Sequence, residues 1–548
     1  MSQIFKTYQL NNKLVSFFLL LLIASVSGIG GGLLNQSYTL AGGNIISLFL
    51  FSSVLLSPPH FRGANSIMVG AFTFFWMYYS FPWLDNFINN ERIYISFLYT
   101  CELVFAYLIL SIFFKKIFNP NYLSLVCFTV SNIIITNANQ LIEVCFPLNN
   151  LALLLSGSSF IQGVMRYTGP LLLCTILFIF ISSLVIWVSN VKESKFSLPL
   201  SILAICSLAF LTLSTAHLDF IESFLPPTTV HTSSIGIFHP KLDCKVRSEL
   251  PDSTKVSILL TSINEYSHLD SLQILTPENY IFDLGTISRY TMEILPSYSL
   301  GLLTQELAKL PNEVSINLGG LIYSGPYNSS DTSEYLLIKG QDDNYYAKHN
   351  VVISVSKNNL SLLSVKSKLV PFEESTPYYA TLGSFLQRSG TVGTFSNTFI
   401  DETILEPSLL ANRINLESGP LICYETWFPD SWHRKSKSKF ASVILNECWM
   451  NSQIAANQFL RATVGNAAAL GIPVFISSNG GISGRISPKN QATTVLAYQA
   501  YSPDLLVFPR DLKKHQRTTY AKYGPVLSRF VEFALISIWL IAMHRLKG

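Results

Sequence analysis

Cys423 stands where an apolar run stops, in the segment GPLICYETWFP at residues 419–429. Leu421 and Ile422 are typical of the end of a short buried strand, and the Trp-Phe-Pro at 427–429 cannot extend that strand smoothly. Cys423 is therefore expected at a corner between a strand and a turn, where a nucleophile can be presented. A free cysteine is also commonly a small buried apolar residue, and this segment alone does not separate the two interpretations.

A lysine also follows a short strand-like run. Lys366 lies in SVKSKLVPFEESTP, residues 364–377, where Leu369-Val370-Pro371-Phe372 would bury and fix the next turn. An amine held rigidly at a strand end can stabilise an oxyanion. The ordinary alternative is that Lys366 and Lys368 are a pair of solvated lysines, which is the common fate of this residue type.

The third candidate is a glutamate. Glu278 comes directly after Pro277 in LQILTPENYI, residues 272–281. A carboxylate that is partly desolvated at a strand end can accept a proton from a thiol, although Glu278 taken alone could be an ordinary loop acid. Together, Cys423, Lys366 and Glu278 would supply a nucleophile, an oxyanion-stabilising amine and a general base at three strand ends.

The region that holds these residues, 217–525, has the mixed composition of a globular domain. Short apolar strands alternate in it with helical patterns, which predicts an α/β sandwich whose reactive residues lie at strand ends. Strands are predicted near 233–238, 272–275, 314–323, 350–355, 361–365, 419–423, 441–446, 473–478 and 504–508, and helices near 254–266 and 299–309.

The rest of the chain has the composition of a membrane protein. Of the 548 residues, 49% are hydrophobic and 13% are charged, a balance that favours the membrane class. A bilayer crossing takes about 20 apolar residues. Eight such runs lie near 14–34, 38–57, 64–83, 94–114, 121–138, 170–188, 197–216 and 526–543. They predict a multi-pass α-helical membrane domain at 1–216 with seven helices, and an eighth helix with a short tail at 526–548. The first run is long and interrupted by glycines, so we expect it to be retained rather than cleaved.

Basic residues give the expected orientation. With eight helices, one side of the membrane receives Lys6, Lys13, Arg62, Lys115, Lys116, Lys192, Lys195, Arg545 and Lys547. The positive-inside rule makes that side cytoplasmic, so residues 217–525 are expected on the external side. The stretch 139–169 is too apolar for a solvated loop, and we expect it to dip into the membrane surface or to pack under the globular domain.

Charge and cysteine spacing argue against two other classes of protein. The net charge of +4 is small for this length, and no basic cluster with interleaved aromatic residues suggests nucleic acid. The eight cysteines include no CxxC pair and no Cys/His spacing typical of zinc, so neither a metal site nor a disulfide framework is predicted. A bridge between Cys423 and Cys448 stays open at this point.

Six segments, taken in order, resemble the nitrilase superfamily and, within it, the apolipoprotein N-acyltransferases. They are TPEN, KSKLVPFEE, ICYETWFP, NECWMN at 446–451, SSNGGIS at 477–483 and RTTYAKYG at 517–524. The resemblance covers most of residues 230–510, and the seven helices before and one after this region add to it, because soluble nitrilases lack them.

The resemblance implies a role for each matching residue. Cys423 is the nucleophile, Lys366 the oxyanion-stabilising amine and Glu278 the general base. The supporting positions that it implies are Glu374, Glu425, Trp449 and Asn479. Glu293, in RYTMEILP, is an alternative base, because it also lies close before a proline and nearer to the GGLIY strand; Glu278 is favoured by its immediate motif. No metal or organic cofactor is implied.

Several positions depart from the family pattern. Thr276 replaces a tryptophan before Pro277, Glu373 replaces a glycine before Glu374, and Glu447-Cys448 replaces the usual pair before the tryptophan. The helix that normally carries Arg-Ala-x-Glu reads NAAA at 466–469, from which we expect its polar contacts to be missing. These departures bear on efficiency or substrate choice more than on the reaction.

The function implied by the resemblance is acyl transfer in a bacterial inner membrane, with the catalytic domain in the periplasm. The acyl donor would be a phospholipid, the acceptor the N-terminal amine of a diacylglyceryl-cysteine lipoprotein, and the intermediate a cysteine thioester. We expect a monomer that binds membrane and no nucleic acid. Two alternatives stay open: a membrane-tethered amidase or nitrilase-type hydrolase, and a catalytically dead homologue that binds lipid or lipoprotein.

Overall fold

The structure is a computed structural model. It describes residues 2–36, 43–56, 63–86, 91–138, 150–190, 233–240, 249–288, 294–327, 338–339, 345–357, 359–370, 374, 418–448, 450–486, 494–496, 504–509 and 517–546.

In the described residues, seven helices precede the central region of the chain, four lie within it and one follows it. The first set is α1 (Ser2–Gln36), α2 (Gly43–Leu55), α3 (Ala64–Ser80), α4 (Glu91–Phe114), α5 (Pro120–Ala138), α6 (Leu151–Leu154) and α7 (Ser159–Asn190). The central set is α8 (Asp252–Asn264), α9 (Tyr298–Lys309), α10 (Pro429–Arg434) and α11 (Gln453–Leu470), and the last helix is α12 (Thr519–Arg545).

Five of these helices are long and apolar enough to cross a membrane. Within the described residues they are Val15–Gln36, Ile95–Phe114, Pro120–Ala138, Phe160–Ser189 and Thr519–Arg545. Seven of the eight predicted apolar runs coincide with helices in the described residues, two of them, 38–57 and 64–83, with the shorter helices α2 and α3. The eighth, 197–216, lies outside the described residues. Membrane helices are therefore confirmed, while the number eight stays a prediction.

Two of the spanning helices are kinked at a Gly-Pro pair. Helix α7 bends at Gly169-Pro170 and α12 at Gly524-Pro525, and both glycines have a positive φ, 71° and 69°. Proline cannot donate to the preceding turn, and glycine alone takes this backbone conformation easily. A Cβ on Gly169 would lie 2.1 Å from the ring of Tyr520. The missing side chain at Gly169 thus lets α7 and α12 pack closely at this point.

The central region packs onto one end of the helix bundle through α11. Arg461 Nη2 donates to Asn35 O at 2.6 Å, and its Nη1 donates to Leu154 O at 3.0 Å. Gln458 Nε2 donates to Ser80 O at 2.8 Å. All three acceptors lie at the carboxyl ends of helices, where backbone carbonyls lack intrahelical donors and cations are favoured.

The contacts of α11 also test the expectation that the stretch 139–169 packs under the globular domain. Of this stretch the structure describes residues 150–169, and α6 within it packs against α11. Ser156 Oγ also donates to Arg461 O. The expectation that the stretch packs under the globular domain is therefore confirmed for these residues.

The opposite end of the bundle is basic. His544, near the end of α12, hydrogen-bonds through Nδ1 with Ile117 O at 2.8 Å, which brings the end of α12 to the turn between α4 and α5. Lys115, Lys116 and Arg545 therefore share the end that faces away from the central region.

The described residues of the central region form two sheets. The strands of the first are β1 (Ser233–His239), β2 (Ser271–Leu275), β3 (Asp283–Ser288), β4 (Ile294–Pro296), β5 (Glu313–Tyr327), β6 (Ile338–Lys339), β7 (Tyr345–Ser356), β8 (Asn359–Val365) and β14 (Asp504–Pro509). The second contains β9 (Ser418–Ile422), β10 (Phe440–Asn446), β11 (Val474–Asn479), β12 (Ser483–Ile486) and β13 (Thr494–Leu496), with β9, β10 and β11 parallel. Every predicted strand is found; β3, β4, β6, β12 and β13 are additional.

The two sheets lie face to face between layers of helix. Ile237 and Leu275 from the first sheet pack against Phe440 and Phe475 from the second in one apolar cluster. Helices α8 and α9 share a second apolar cluster with the first sheet, and α11 lies over the second sheet and joins it to the membrane helices. The predicted α/β sandwich is confirmed, and the carboxyl ends of β2, β8 and β9 bring their following residues together.

Replacing Arg461 tests the connection between the bundle and the central region. Arg461→Met keeps most of the apolar volume but leaves helix-end carbonyls without their donors, which should lower the free energy of unfolding by about 3 kcal/mol. Thermal unfolding in detergent measures the loss. Lys309→Met is the control, because the Lys309 side chain is 69% exposed and its surface ion pair contributes little. Equal melting temperatures for the two variants would contradict this role of Arg461.

Candidate active site

Cys423 lies at a tight corner directly after β9. Every residue of β9 is buried, and a 3-10 turn at Cys423–Trp427 follows it. Cys423 has a φ of 47°, which is unusual for a residue with a side chain and is typical of strain held by the surrounding structure at functional sites. The predicted corner is confirmed, and Cys423 is free of any disulfide.

Glu425 holds this corner in place. Its Oε2 accepts from the backbone N–H of Ile422 at 2.9 Å, and its Oε1 accepts from the backbone N–H of Ser367 at 2.8 Å and from Ser367 Oγ at 2.6 Å. One buried carboxylate thus ties the turn of Cys423 to the loop after Lys366. Carboxylate acceptors form stronger hydrogen bonds than neutral ones.

Lys366, Glu278 and Glu374 form a buried ionic cluster. Lys366 Nζ lies 3.1 Å from Glu278 Oε1 and 2.6 Å from Glu374 Oε1, and the Lys366 residue is only 1% exposed. Asn350 Nδ2 adds a hydrogen bond of 2.5 Å to Glu278 Oε1. Glu374 Oε2 accepts from the backbone N–H of Val370 at 2.9 Å. Buried charges are tolerated when they are paired and hydrogen-bonded in this way.

The charges of the cluster act on the thiol. Burial raises the pKa of Cys423 well above its usual value, the negative charge of Glu278 raises it further, and the ammonium of Lys366 opposes both. The backbone N–H of Asn446 also lowers this pKa by donating toward the sulfur. Cys423 is therefore a neutral thiol at rest, close to a carboxylate that can take its proton.

Lys366 stays protonated in this environment. Burial alone lowers the pKa of Lys366, but the attraction of Glu278 and Glu374 outweighs burial and raises it above its usual value. Burial raises the pKa of Glu374, against the opposing charge of Lys366. The arrangement can supply a fixed positive charge beside a thiol, which is what an oxyanion formed at that thiol requires.

The backbone of Glu278 is held from two sides. Asn479 Nδ2 donates to Glu278 O at 2.9 Å. A Cβ on Gly319, in the adjoining β5, would lie 3.0 Å from the Cα of Glu278, so the absent side chain at Gly319 allows this close approach. Glu278 and Asn479 come from different sheets, and the cluster therefore lies at the junction of the two sheets.

The structure brings together six of the residues singled out from sequence. They are Glu278, Lys366, Glu374, Cys423, Glu425 and Asn479. Trp449 and the alternative base Glu293 lie outside the described residues. Asn350 is an addition that sequence reasoning missed, since an asparagine at the start of a β-like run carries no signal of its own.

Two expectations about neighbouring residues need correction. Cys448 is disulfide-bonded while Cys423 is free, so the Cys423–Cys448 bridge that stayed open does not form, and a disulfide exists where none was predicted. The expected loss of polar contacts at 466–469 is wrong, because Asn466 Nδ2 donates to Thr426 O at 3.0 Å, inside the turn that begins at Cys423.

Fold and site together define a class: a membrane protein of several apolar helices with an α/β domain that holds a buried cysteine, lysine and glutamate cluster. No family model matches the chain. The chain is 26% identical over 248 residues to an apolipoprotein N-acyltransferase of Rickettsia bellii (strain RML369-C), a match that covers 44% of each protein.

Two further relatives carry the same description. Apolipoprotein N-acyltransferases of Rickettsia prowazekii (strain Madrid E) and Rickettsia typhi (strain ATCC VR-144 / Wilmington) are each 24% identical over 235 residues, which is 40% of this chain and 42% of the relative. The match thus spans less than half the length of these curated relatives. The resemblance to apolipoprotein N-acyltransferases found in the sequence motifs is confirmed by these three proteins.

The charges around Cys423 predict opposite effects from two substitutions. Glu278→Gln removes a negative charge that raises the thiol pKa, so Cys423 should react faster with iodoacetamide at pH 8.5, by about tenfold for each pKa unit lost. Lys366→Gln removes the opposing positive charge and should slow the same reaction. Peptide mapping after timed alkylation gives the rate at Cys423 alone. Changes of the same sign in both variants would contradict the electrostatic account.

Proposed function

We propose that this protein is an N-acyltransferase that moves an acyl chain from a phospholipid to the N-terminal amine of a diacylglyceryl-cysteine lipoprotein. The observation that carries the proposal is the position of free, buried Cys423 beside the Lys366–Glu278 pair in a domain packed onto membrane helices. The similarity to relatives described as apolipoprotein N-acyltransferases supports it.

The first half of the proposed reaction transfers the acyl group to the enzyme. Glu278 accepts the proton of Cys423, and the sulfur attacks the ester carbonyl of the phospholipid. The carbonyl oxygen becomes an oxyanion, which the ammonium of Lys366 stabilises. When the intermediate collapses, the C–O bond of the ester breaks, the lysophospholipid oxygen takes the proton from Glu278, and a thioester remains on Cys423.

The second half returns the enzyme to its resting state. The neutral amine of the acceptor attacks the thioester carbonyl, and Lys366 again faces the oxyanion. As the C–S bond breaks, Glu278 takes a proton from the new amide nitrogen and passes it to the departing sulfur of Cys423. Every proton in this cycle moves between groups of the chain and its two substrates, so no step calls on a metal or an organic cofactor.

The other residues of the site have supporting roles in this proposal. Glu374 fixes the ammonium of Lys366, Glu425 fixes the turn of Cys423 against the loop after Lys366, and Asn479 fixes the backbone of Glu278. Trp449 stays a predicted residue of the site mouth.

Both proposed substrates are lipid-anchored, and this explains the attachment to membrane helices. The basic end of the bundle, with Lys115, Lys116 and Arg545, faces away from the α/β domain. By the positive-inside rule, this placement supports an α/β domain on the periplasmic side of a bacterial inner membrane. The monomeric state stays an expectation.

The alternatives are a hydrolase of small amides and a dead homologue. A thioester at Cys423 is common to the transferase and the hydrolase, whereas the dead homologue forms none. The strained φ of Cys423 and the complete ionic cluster favour a working site, because a binding protein gains nothing from burying these charges.

A trapped acyl-enzyme tests the identity of the nucleophile. After incubation of the full-length protein with phospholipid, peptide mapping by mass spectrometry should find one acyl adduct, on the peptide that holds Cys423. Cys423→Ala should lose the adduct completely. Cys448→Ala should retain it, because the sulfur of Cys448 is already bonded in a disulfide. An adduct on the Cys448 peptide that persists in Cys423→Ala would refute the mechanism.

Two matched substitutions test the general base. Glu278→Gln is nearly isosteric but cannot accept the thiol proton, so thioester formation should fall by a factor of about 10² to 10⁴. Glu293→Gln should leave most of it. Quantifying the adduct over time in both variants decides the matter. If Glu293→Gln is the inactive variant and Glu278→Gln is active, the assignment of the base to Glu278 is wrong.

A further inference from the structure

Glu447 is a further buried carboxylate beside the site, on a different element from Glu278, Glu374 and Glu425. It follows β10 directly, is 1% exposed, and accepts from Ser478 Oγ through Oε2 at 2.7 Å. The backbone N–H of Ile482 also donates to this carboxylate. A Cβ on Gly481 would lie 1.5 Å from Oε2. The turn between β11 and β12 can therefore hold the carboxylate only because residue 481 is glycine.

The backbone of Glu447 joins the same elements. Its N–H donates to Asn479 O at 2.9 Å, which extends the pairing of β10 with β11 by one residue. Its carbonyl accepts from the N–H of Met450 at 3.1 Å and from that of Asn451 at 3.3 Å. Side chain and backbone thus fix the turn 447–451 against the end of β11.

Two residues next to Glu447, Asn446 and Asn479, both contact the proposed site. The pairing of β9 with β10 ends at Ile422 and Ile444, which leaves the N–H of Asn446 to face the sulfur of Cys423 and lower its pKa. On the other side, Asn479 holds the carbonyl of Glu278. Displacing Glu447 would release both the donor to the nucleophile and the support of the base.

The environment of the Glu447 carboxylate is unfavourable for folding. Burial raises the pKa of Glu447 to about 7. Among the described residues its contacts are a hydroxyl and backbone amides, and its Oε1 has no hydrogen-bond partner there. A buried acid with incomplete pairing is unfavourable for folding, so stability alone gives no reason for a glutamate at this position.

We propose that Glu447 is a positioning residue, which holds the Asn446 amide against Cys423 and Asn479 against Glu278 by filling the turn at Gly481. This inference rests on the proposed role of Cys423 as the nucleophile. Glu447, which belongs to the Glu447-Cys448 departure from the family pattern, then has a role in the site.

The test measures the thiolate of Cys423 rather than acyl transfer. The rate of alkylation of Cys423 by iodoacetamide is followed in the full-length protein between pH 7.5 and 9.5. Glu447→Ala and Gly481→Ala should both slow alkylation about tenfold at each pH, since losing the Asn446 donor raises the thiol pKa by about one unit. Glu447→Gln should stay within about twofold, because its amide oxygen can accept from Ser478 and Ile482.

A matched control separates positioning from general stability. Leu303→Ala opens the apolar cluster under α9, which contains no residue of β10 or β11, and should lower the melting temperature without changing the alkylation rate. If Glu447→Ala does not fold, Ser478→Ala removes the same contact and should slow alkylation in the same sense. Unchanged rates in Glu447→Ala and Gly481→Ala, or an equal change in Leu303→Ala, would overturn the inference. A wild-type protein that forms no acyl adduct would instead refute the proposed function, and the alkylation result would still stand.

Discussion

The ion cluster of Lys366 with Glu278 and Glu374 is the constraint on which the rest of the α/β domain depends. Removing three charges from water costs several kcal/mol for each ion, and only close pairing with further hydrogen bonds offsets that cost. The partners therefore have to meet within a few tenths of an ångström of their ideal distances. Asn350 and Val370 supply extra donors to the carboxylates, while Asn479, from the second sheet, holds the backbone of Glu278. The two sheets must consequently pack in one register, which Gly319 permits by its lack of a side chain.

The same domain has to stay attached to the membrane helices without losing that register. Helix α11 makes the connection, because Arg461 bonds to the ends of the membrane helix α1 and of the short helix α6, while Asn466, further along α11, bonds to the turn of Cys423. A rigid helix thus links the bundle to the nucleophile in the proposed mechanism. The Gly-Pro kinks of α7 and α12 add a second connection through Tyr520 and α10. This arrangement suits substrates that can be reached only at the membrane surface.

Sequence predicted the architecture well where hydrophobic patterns are long or motifs are dense. Local sequence patterns determine the apolar runs, the α/β alternation and the strand ends that carry Glu278, Lys366 and Cys423. Such patterns can be recognised without knowing which elements pack together. Short strands such as β4, at Ile294–Pro296, were missed because three residues hold too little periodicity to detect. The prediction that residues 466–469 make no polar contacts was wrong because Asn466 bonds to Thr426, which is distant in the sequence. Local patterns do not show which distant residues meet. Asn350 was missed, and the fit between Glu447 and Gly481 was not seen, for the same reason.

The central claim is that Cys423 carries the acyl group between two substrates, and lysophospholipid release measures this most directly. Purified protein is mixed with excess phospholipid in the absence of acceptor, and the lysophospholipid formed is counted per protein molecule. The account predicts a burst of about one lysophospholipid per protein that then stops, and that resumes when a diacylglyceryl-cysteine peptide is added. Continuous release without the peptide would indicate a hydrolase. No release before the peptide is added would contradict the thioester intermediate.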